Sequence, residues 1–242
     1  MSTLIKIIVA TVLSLTLFSC NFDLNLSTGV RGNGNVITEE RTISEDFSTI
    51  KATEGLDVYL TQSDNESIVV EADENLQELI LTEVEDGVLK IHTKENIGNA
   101  TSKKVKISFK DISSIISTSG SDVYSTNTIT VEKLTLKSTS GSDIKLDVNT
   151  SVLNCSSTSG SDIMLTGKTI KLIAEATSGS DIKAADLIAE SSEVKATSGA
   201  DITVNTSKEL TARATSGGDV KYYGNPEKVD TKDSPSGSIS QK

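Results

Sequence analysis

Asp57, Asp122, Asp143, Asp162, Asp181, Asp201 and Asp219 each close a Thr-x-Gly-x corner, and Val or Ile follows each of them. Six corners read TSGSDV at Thr118, TSGSDI at Thr139, Thr158 and Thr177, TSGADI at Thr197 and TSGGDV at Thr215. The seventh, TEGLDV, stands upstream at Thr53. Carboxylates stacked near the spacing of neighbouring strands would repel by ~1 kcal/mol per adjacent pair even in water. Two arrangements can offset this. Each Asp can cap its own turn by accepting from backbone N–H or Ser hydroxyl groups, and this is the reading the repeat favours. Alternatively, divalent cations such as Ca²⁺ bridge Asp122, Asp143, Asp162, Asp181, Asp201 and Asp219. Against that, the corner lacks the Gly-Gly-x-Gly-x-Asp pattern of calcium-binding β-rolls, and its period is twice as long. Carboxylate pairs also hydrolyse glycosides, but there one acid and one partner are singled out, whereas this column offers equivalent members. No catalytic residue and no cofactor are assigned.

The other reactive side chains are few. His92 is the only histidine and lies on an alternating strand, which suits surface packing. Cys155 falls in an apolar column and reads as a small buried hydrophobe. Cys20 is different. Lys6 and the apolar run from Ile7 to Phe18 form a targeting segment too short to span a bilayer comfortably. It ends Leu17-Phe18-Ser19-Cys20, which resembles the lipobox of bacterial lipoproteins, where the signal is cut before an acylated Cys. Cys20 is therefore the expected lipidation site, which leaves Cys155 without a disulfide partner. Asn21 rather than Asp follows it, so the common inner-membrane retention signal is missing. The expected location is the outer membrane, facing the periplasm or the cell surface.

The composition narrows the rest. A net charge of -11 argues against nucleic acid as a partner. Aromatics make up 3% of the chain with no Trp, so stacking platforms are scarce. Ser, Thr and β-branched residues favour strands. Residues 1–19 are read as the signal peptide and 20–35 as the lipidated Cys with a polar tether. One solenoid domain spans 36–229, irregular over 36–117 and regular over 118–229, and 230–242 is a polar tail.

The elements that must hold the corners follow from spacing. The six downstream corners start 21, 19, 19, 20 and 18 residues apart. Columns of like size flank them. Three residues before the Thr stand Ile50, Ile115, Leu136, Cys155, Ala174, Val194 and Ala212, and every residue immediately before the Thr is Ala or Ser. Alternation by two on both sides of each corner is strand periodicity. The expected fold is an all-β, right-handed parallel β-helix of about 20 residues per coil, with a more irregular β region at its N-terminal end. The corner glycines Gly55, Gly120, Gly141, Gly160, Gly179, Gly199 and Gly217 are expected in a conformation closed to other residues. A two-sheet sandwich is the alternative, though it would not need identical corners. The 65 residues between Thr53 and Thr118 fit either three irregular coils or a small antiparallel cap. Asp86-Gly87 marks a hairpin, and Tyr222 to Pro226 is read as the terminal cap.

These features carry a resemblance. Gly32-Asn33-Gly34-Asn35-Val36, Arg41, Phe47-Ser48-Thr49-Ile50 and Asp57-Val58-Tyr59-Leu60-Thr61-Gln62 resemble the opening of the auto-transporter adhesin family with a head GIN domain. The strand pair around Val84 to Ile91, the Ser-Gly-Ser-Asp-Ile corners, Tyr223-Gly224-Asn225-Pro226 and Ser236-Gly237-Ser238-Ile239 follow in the same order. The resemblance implies a secreted or lipid-anchored β-helix without established catalytic residues. The polar C-terminal DTKDSPSGSISQK carries no pattern of a self-transporting barrel. The expected function is thus non-enzymatic: a membrane-tethered envelope protein that binds a glycan or protein as an adhesin. The alternatives are a structural or assembly role with end-to-end self-association and, behind it, polysaccharide processing.

Overall fold

The computed structural model describes residues 29–43 and 45–242. Cys20, the expected signal peptide and the first part of the expected tether lie outside the described residues. Strands make up 67% of the described residues and helix 3%, in stacked parallel coils of about 19 residues that form a solenoid of about 7 turns.

The first strands are β1 (Val36–Arg41), β2 (Thr49–Ala52), β3 (Asp57–Gln62) and β4 (Ser67–Asp73). After a 3-10 turn at Glu74–Leu79 come β5 (Ile80–Glu85), β6 (Val88–Thr93), β7 (Lys103–Phe109), β8 (Ser114–Ser117) and β9 (Asp122–Ser125). Parallel coils and an antiparallel cap both occur here, and they interleave. The coil β2–β3 pairs in parallel with β6–β7 on one side and with β8–β9 on the other. Spatial order therefore departs from chain order, and the Thr53 corner stacks directly on the Thr118 corner, Asp57 beside Asp122. β5 closes β6 antiparallel, while β4 pairs antiparallel with both β7 and β1. Asp86 and Gly87 turn the β5–β6 hairpin at φ 51° and 74°, as that dipeptide leads one to expect.

The regular part comprises β10 (Ile129–Thr139), β11 (Asp143–Thr158), β12 (Asp162–Thr177), β13 (Asp181–Thr197), β14 (Asp201–Thr215) and β15 (Asp219–Tyr223). From β11 to β12 the ladder runs in register from Asp143↔Asp162 to Thr158↔Thr177. Parallel in-register pairing rules out the sandwich. The inward columns are the ones the spacing picks out: Leu136, Cys155, Ala174, Val194 and Ala212 lie side by side, as do Ile144, Ile163, Ile182, Ile202 and Val220. All are buried. Each fully buried Ile or Leu stabilises by roughly 1.5–3 kcal/mol, so continuous inward columns of this kind add up to a stable core.

Two expected boundaries are corrected. Residues 230–242 are not a free polar tail. β16 (Lys228–Asp233) pairs with β14 and β17 (Ser238–Gln241) with β15, and Ser234 to Ser238 turns a further corner in which Ser replaces Asp. Tyr222 to Pro226 is consequently an internal bend. The stack stops where two of the three inward positions of β16 become polar: Ala212 pairs with Thr231 and Ala214 with Asp233, while Leu210 keeps Val229. At the other end, residues 29–35 are hydrogen-bonded to the fold instead of trailing as tether.

Candidate functional site

The corners are built from two successive left-handed residues. Ser119, Ser140, Ser159, Ser178, Ser198 and Ser216 have φ between 54° and 59°, and Glu54 has 65°. The seven corner glycines follow at φ 68° to 77°. The glycine expectation therefore describes only half of the turn, because a serine beside it shares the conformation. This is tolerable because each corner is over-determined. Gly141 N–H donates to Ser159 O across the coils at 3.2 Å, and the bond recurs from Gly120 to Gly199.

A residue type that spacing alone did not single out completes the turn. Ser142, fully buried, accepts at Oγ from Thr139 N–H (3.1 Å), and its hydroxyl faces the carbonyls of Thr139 (2.9 Å) and Ser117 (2.8 Å). Ser138 Oγ donates to Ser142 O at 2.7 Å. Ser161 and Ser180 repeat the contact to Thr158 and Thr177. The available signal was the run Ser121, Ser142, Ser161, Ser180 at the fourth place of the corner, before Ala200 and Gly218.

The aspartates take a different part. Asp57, Asp122, Asp143, Asp162, Asp181, Asp201 and Asp219 stand in one register column. Their backbone N–H groups continue the ladder, as Asp143 N–H does to Ser121 O at 3.1 Å. Their side chains are half-buried, except that of Asp143, which is exposed. Burial, then the Asp57 charge, raises the Asp122 carboxyl above its ordinary pKa. Asp143, though more open, is shifted the same way by the partial desolvation it does undergo and by the charges of Asp122 and Asp162. Further along, Lys183 reaches both Asp162 (2.6 Å) and Asp181 (3.3 Å). Ser238 donates to Asp219 at 2.7 Å, which closes the column, and Lys104 stands beside Asp57 at the other end. Each coil supplies one carboxylate, and no group of three or more potential ligands converges among the described residues. A hard cation such as Ca²⁺ takes six to eight oxygens, so water would have to provide most of them.

Next to the upper aspartates lies the one stacked ring pair among the described residues. Tyr59 and Tyr124 have centroids 5.3 Å apart at 24°, and Tyr124 Oη donates to Asp122 Oδ2 at 3.4 Å. Burial and the Asp122 carboxylate push its phenol up to about 12. Elsewhere, a shallow groove of about 570 Å³ runs across β10, β11, β12 and β13. Ile170 and Ile188, 54% and 59% exposed, form its apolar side, and Lys168, Glu132 and Glu190 its charged one. A smaller depression continues it past Val131 towards Phe47. His92 Nε2 lies 3.0 Å from Glu83 at the surface, and Cys155 is buried, with its thiol pushed up by burial.

A family model described as "Putative auto-transporter adhesin, head GIN domain" matches residues 46–226. Three solved structures share the fold. One described as a "putative adhesin" from Bacteroides fragilis is 22% identical, with 88% of this chain and 100% of that chain covered at a TM-score of 0.82. Another, also a "putative adhesin", from Parabacteroides merdae, is 21% identical, with 89% and 99% covered at 0.71. A "putative lipid binding protein" from Parabacteroides distasonis is 24% identical, with 88% and 99% covered at 0.69. Among curated proteins none matches.

Proposed function

Since the chain belongs to the auto-transporter adhesin, head GIN domain family, we propose that it is a non-enzymatic, lipid-anchored protein of the cell envelope that adheres to a glycan or protein. Cys20 carries the anchor, and the outer membrane is its site. The observation behind this reading is the in-register column of aspartates with its flanking Thr and Ser hydroxyls. A rigid array of weak, identical contacts gains avidity along its length, which suits a repetitive ligand better than a single small molecule. The column does not separate one acid from one partner, which speaks against hydrolysis.

The test has two arms. Mass spectrometry of the membrane fraction should find acyl mass on Cys20, lost in Cys20→Ala. A fragment starting at residue 21, which keeps every described residue, should retain a repetitive glycan or a surface protein on an array without turning it over. Release of products from any polysaccharide, abolished by one Asp→Asn change, would overturn the reading. A second reading, an apolar ligand such as an acyl chain, is favoured by the groove at Ile170 and Ile188. Retention of fatty acid, lost in Ile188→Ser, would select it.

A further inference from the structure

Residues Gly29 to Asn35 hold fast to one end of the solenoid. Val30 N–H donates to Asn96 O (2.8 Å), Gly98 N–H to Val30 O (3.0 Å) and Gly32 N–H to Asn99 O (2.9 Å). Asn75 Nδ2 donates to Arg31 O at 2.8 Å, and Asn33 N–H to Asn75 Oδ1 at 2.9 Å. Beneath this segment lies Asp73, fully buried. Its carboxylate accepts from the N–H groups of Gly34 (3.0 Å), Thr101 (3.1 Å) and Ser102 (3.0 Å). It thus ties three stretches together: the incoming chain, the end of β4 and the loop before β7. The fit is close. A Cβ on Gly32 would sit 1.8 Å from Asp73 Oδ2, and one on Gly29 2.6 Å from Asn96 O. Burial raises the carboxyl's pKa, but the N–H donors more than reverse this and leave it below the usual range, so the clamp is anionic at neutral pH.

The loop that receives the segment, residues 94–102, joins β6 to β7, the outermost coil at the capped end. The opposite end is β16 and β17. Nine Cα–Cα steps lead from Cys20 to Gly29, a reach of at most about 32 Å even when fully extended. From Lys104 on β7 to Ser238 on β17 the register column takes eight strand-to-strand steps, which at ~4.8 Å each separate the two ends by roughly 38 Å. The point at which the chain leaves the fold therefore decides which end a membrane anchor holds. We propose that the Asp73 clamp makes the capped end, around residues 94–102, the membrane-facing surface, and that it points the last coil away from the lipid with the aspartate column running outward between them. This rests on lipidation of Cys20, proposed above.

The experiment uses the full chain in phosphatidylethanolamine–phosphatidylglycerol vesicles carrying an acceptor dye on the lipid. A donor dye is placed at the capped end (Glu95→Cys) or on the last coil (Lys232→Cys). Energy transfer should be stronger from position 95 than from position 232, and Asp73→Asn should narrow the difference. In parallel, trypsin should cut after Arg31 slowly in the wild type and about tenfold faster in Asp73→Asn, as expected when a local opening becomes easier. Gly32→Ala, which collides with the same carboxylate, should also speed cleavage and guards against a folding defect particular to Asp73. Equal transfer from both positions in floated wild-type protein, or rapid wild-type cleavage at Arg31, overturns the proposal. Protein that does not float and bears no acyl mass on Cys20 instead defeats the lipid reading, while protection of Arg31 would still report the clamp.

Discussion

The fourth-place serine and the aspartate after it divide the work of each corner: the buried hydroxyl closes the turn, and the carboxylate is left facing solvent and its neighbours. Ser142→Ala leaves Thr139 N–H without its acceptor, so denaturant unfolding should show a loss of ~1–2 kcal/mol. Ser140 tests the left-handed position beside it. Ser140→Val should lower stability by about 1–2 kcal/mol, because a β-branched chain is poorly tolerated there, while Ser140→Gly should not. Asp122 and Asp143 titrate above their unfolded value, so the folded state binds protons more readily than the unfolded one in that window. Their contribution is least favourable above the folded pKa and disappears below the unfolded pKa. Asp122→Asn should accordingly be more stable than wild type at neutral pH, with the gap closing as pH falls towards 3.8. A gap that widens on acidification would mean the column is not under charge strain. The aspartates were legible in the sequence because all seven Thr-x-Gly-x corners carry one. The serine was harder to see, since Ala200 and Gly218 break its column.

The regular coils could be read from spacing alone because each inward column repeats size as well as polarity, and only parallel in-register strands bring such columns together. Leu153 and Leu172 are fully buried neighbours in that core. Leu153→Ala should cost about 2–5 kcal/mol, and the loss should appear first as exchange of amides in the adjoining coils, since stability in a solenoid is passed between neighbours. Two elements were not legible. The position of β2–β3 between β6–β7 and β8–β9 depends on which strand a long connection returns to, and the residues between carry no signal for that. The last coil escaped notice because Ser238 stands where Asp is expected and β16, except for Val229, is polar, which is the same property that ends the stack. Hydrogen exchange should find β16 the least protected of the parallel strands.

Taken whole, the molecule is a rod with one dressed end and one plain end. At the capped end, β1, β4 and β5 cover the outermost coil with antiparallel strands, whereas among the described residues no strand pairs on the outer edges of β16 and β17. Charged residues along β16 are the usual guard against edge-to-edge growth, and a net charge of -11 adds to it. A column of like groups along such a rod points to binding by multiplicity. The measurement that tests this most directly is dissociation of an array-selected glycan or protein from the immobilised wild type and from Asp143→Asn/Asp162→Asn/Asp181→Asn. Loss of three adjacent contacts should speed release by at least about tenfold without lowering the melting temperature. Release at the wild-type rate would show that the column is structural surface and that the adhesive site lies elsewhere.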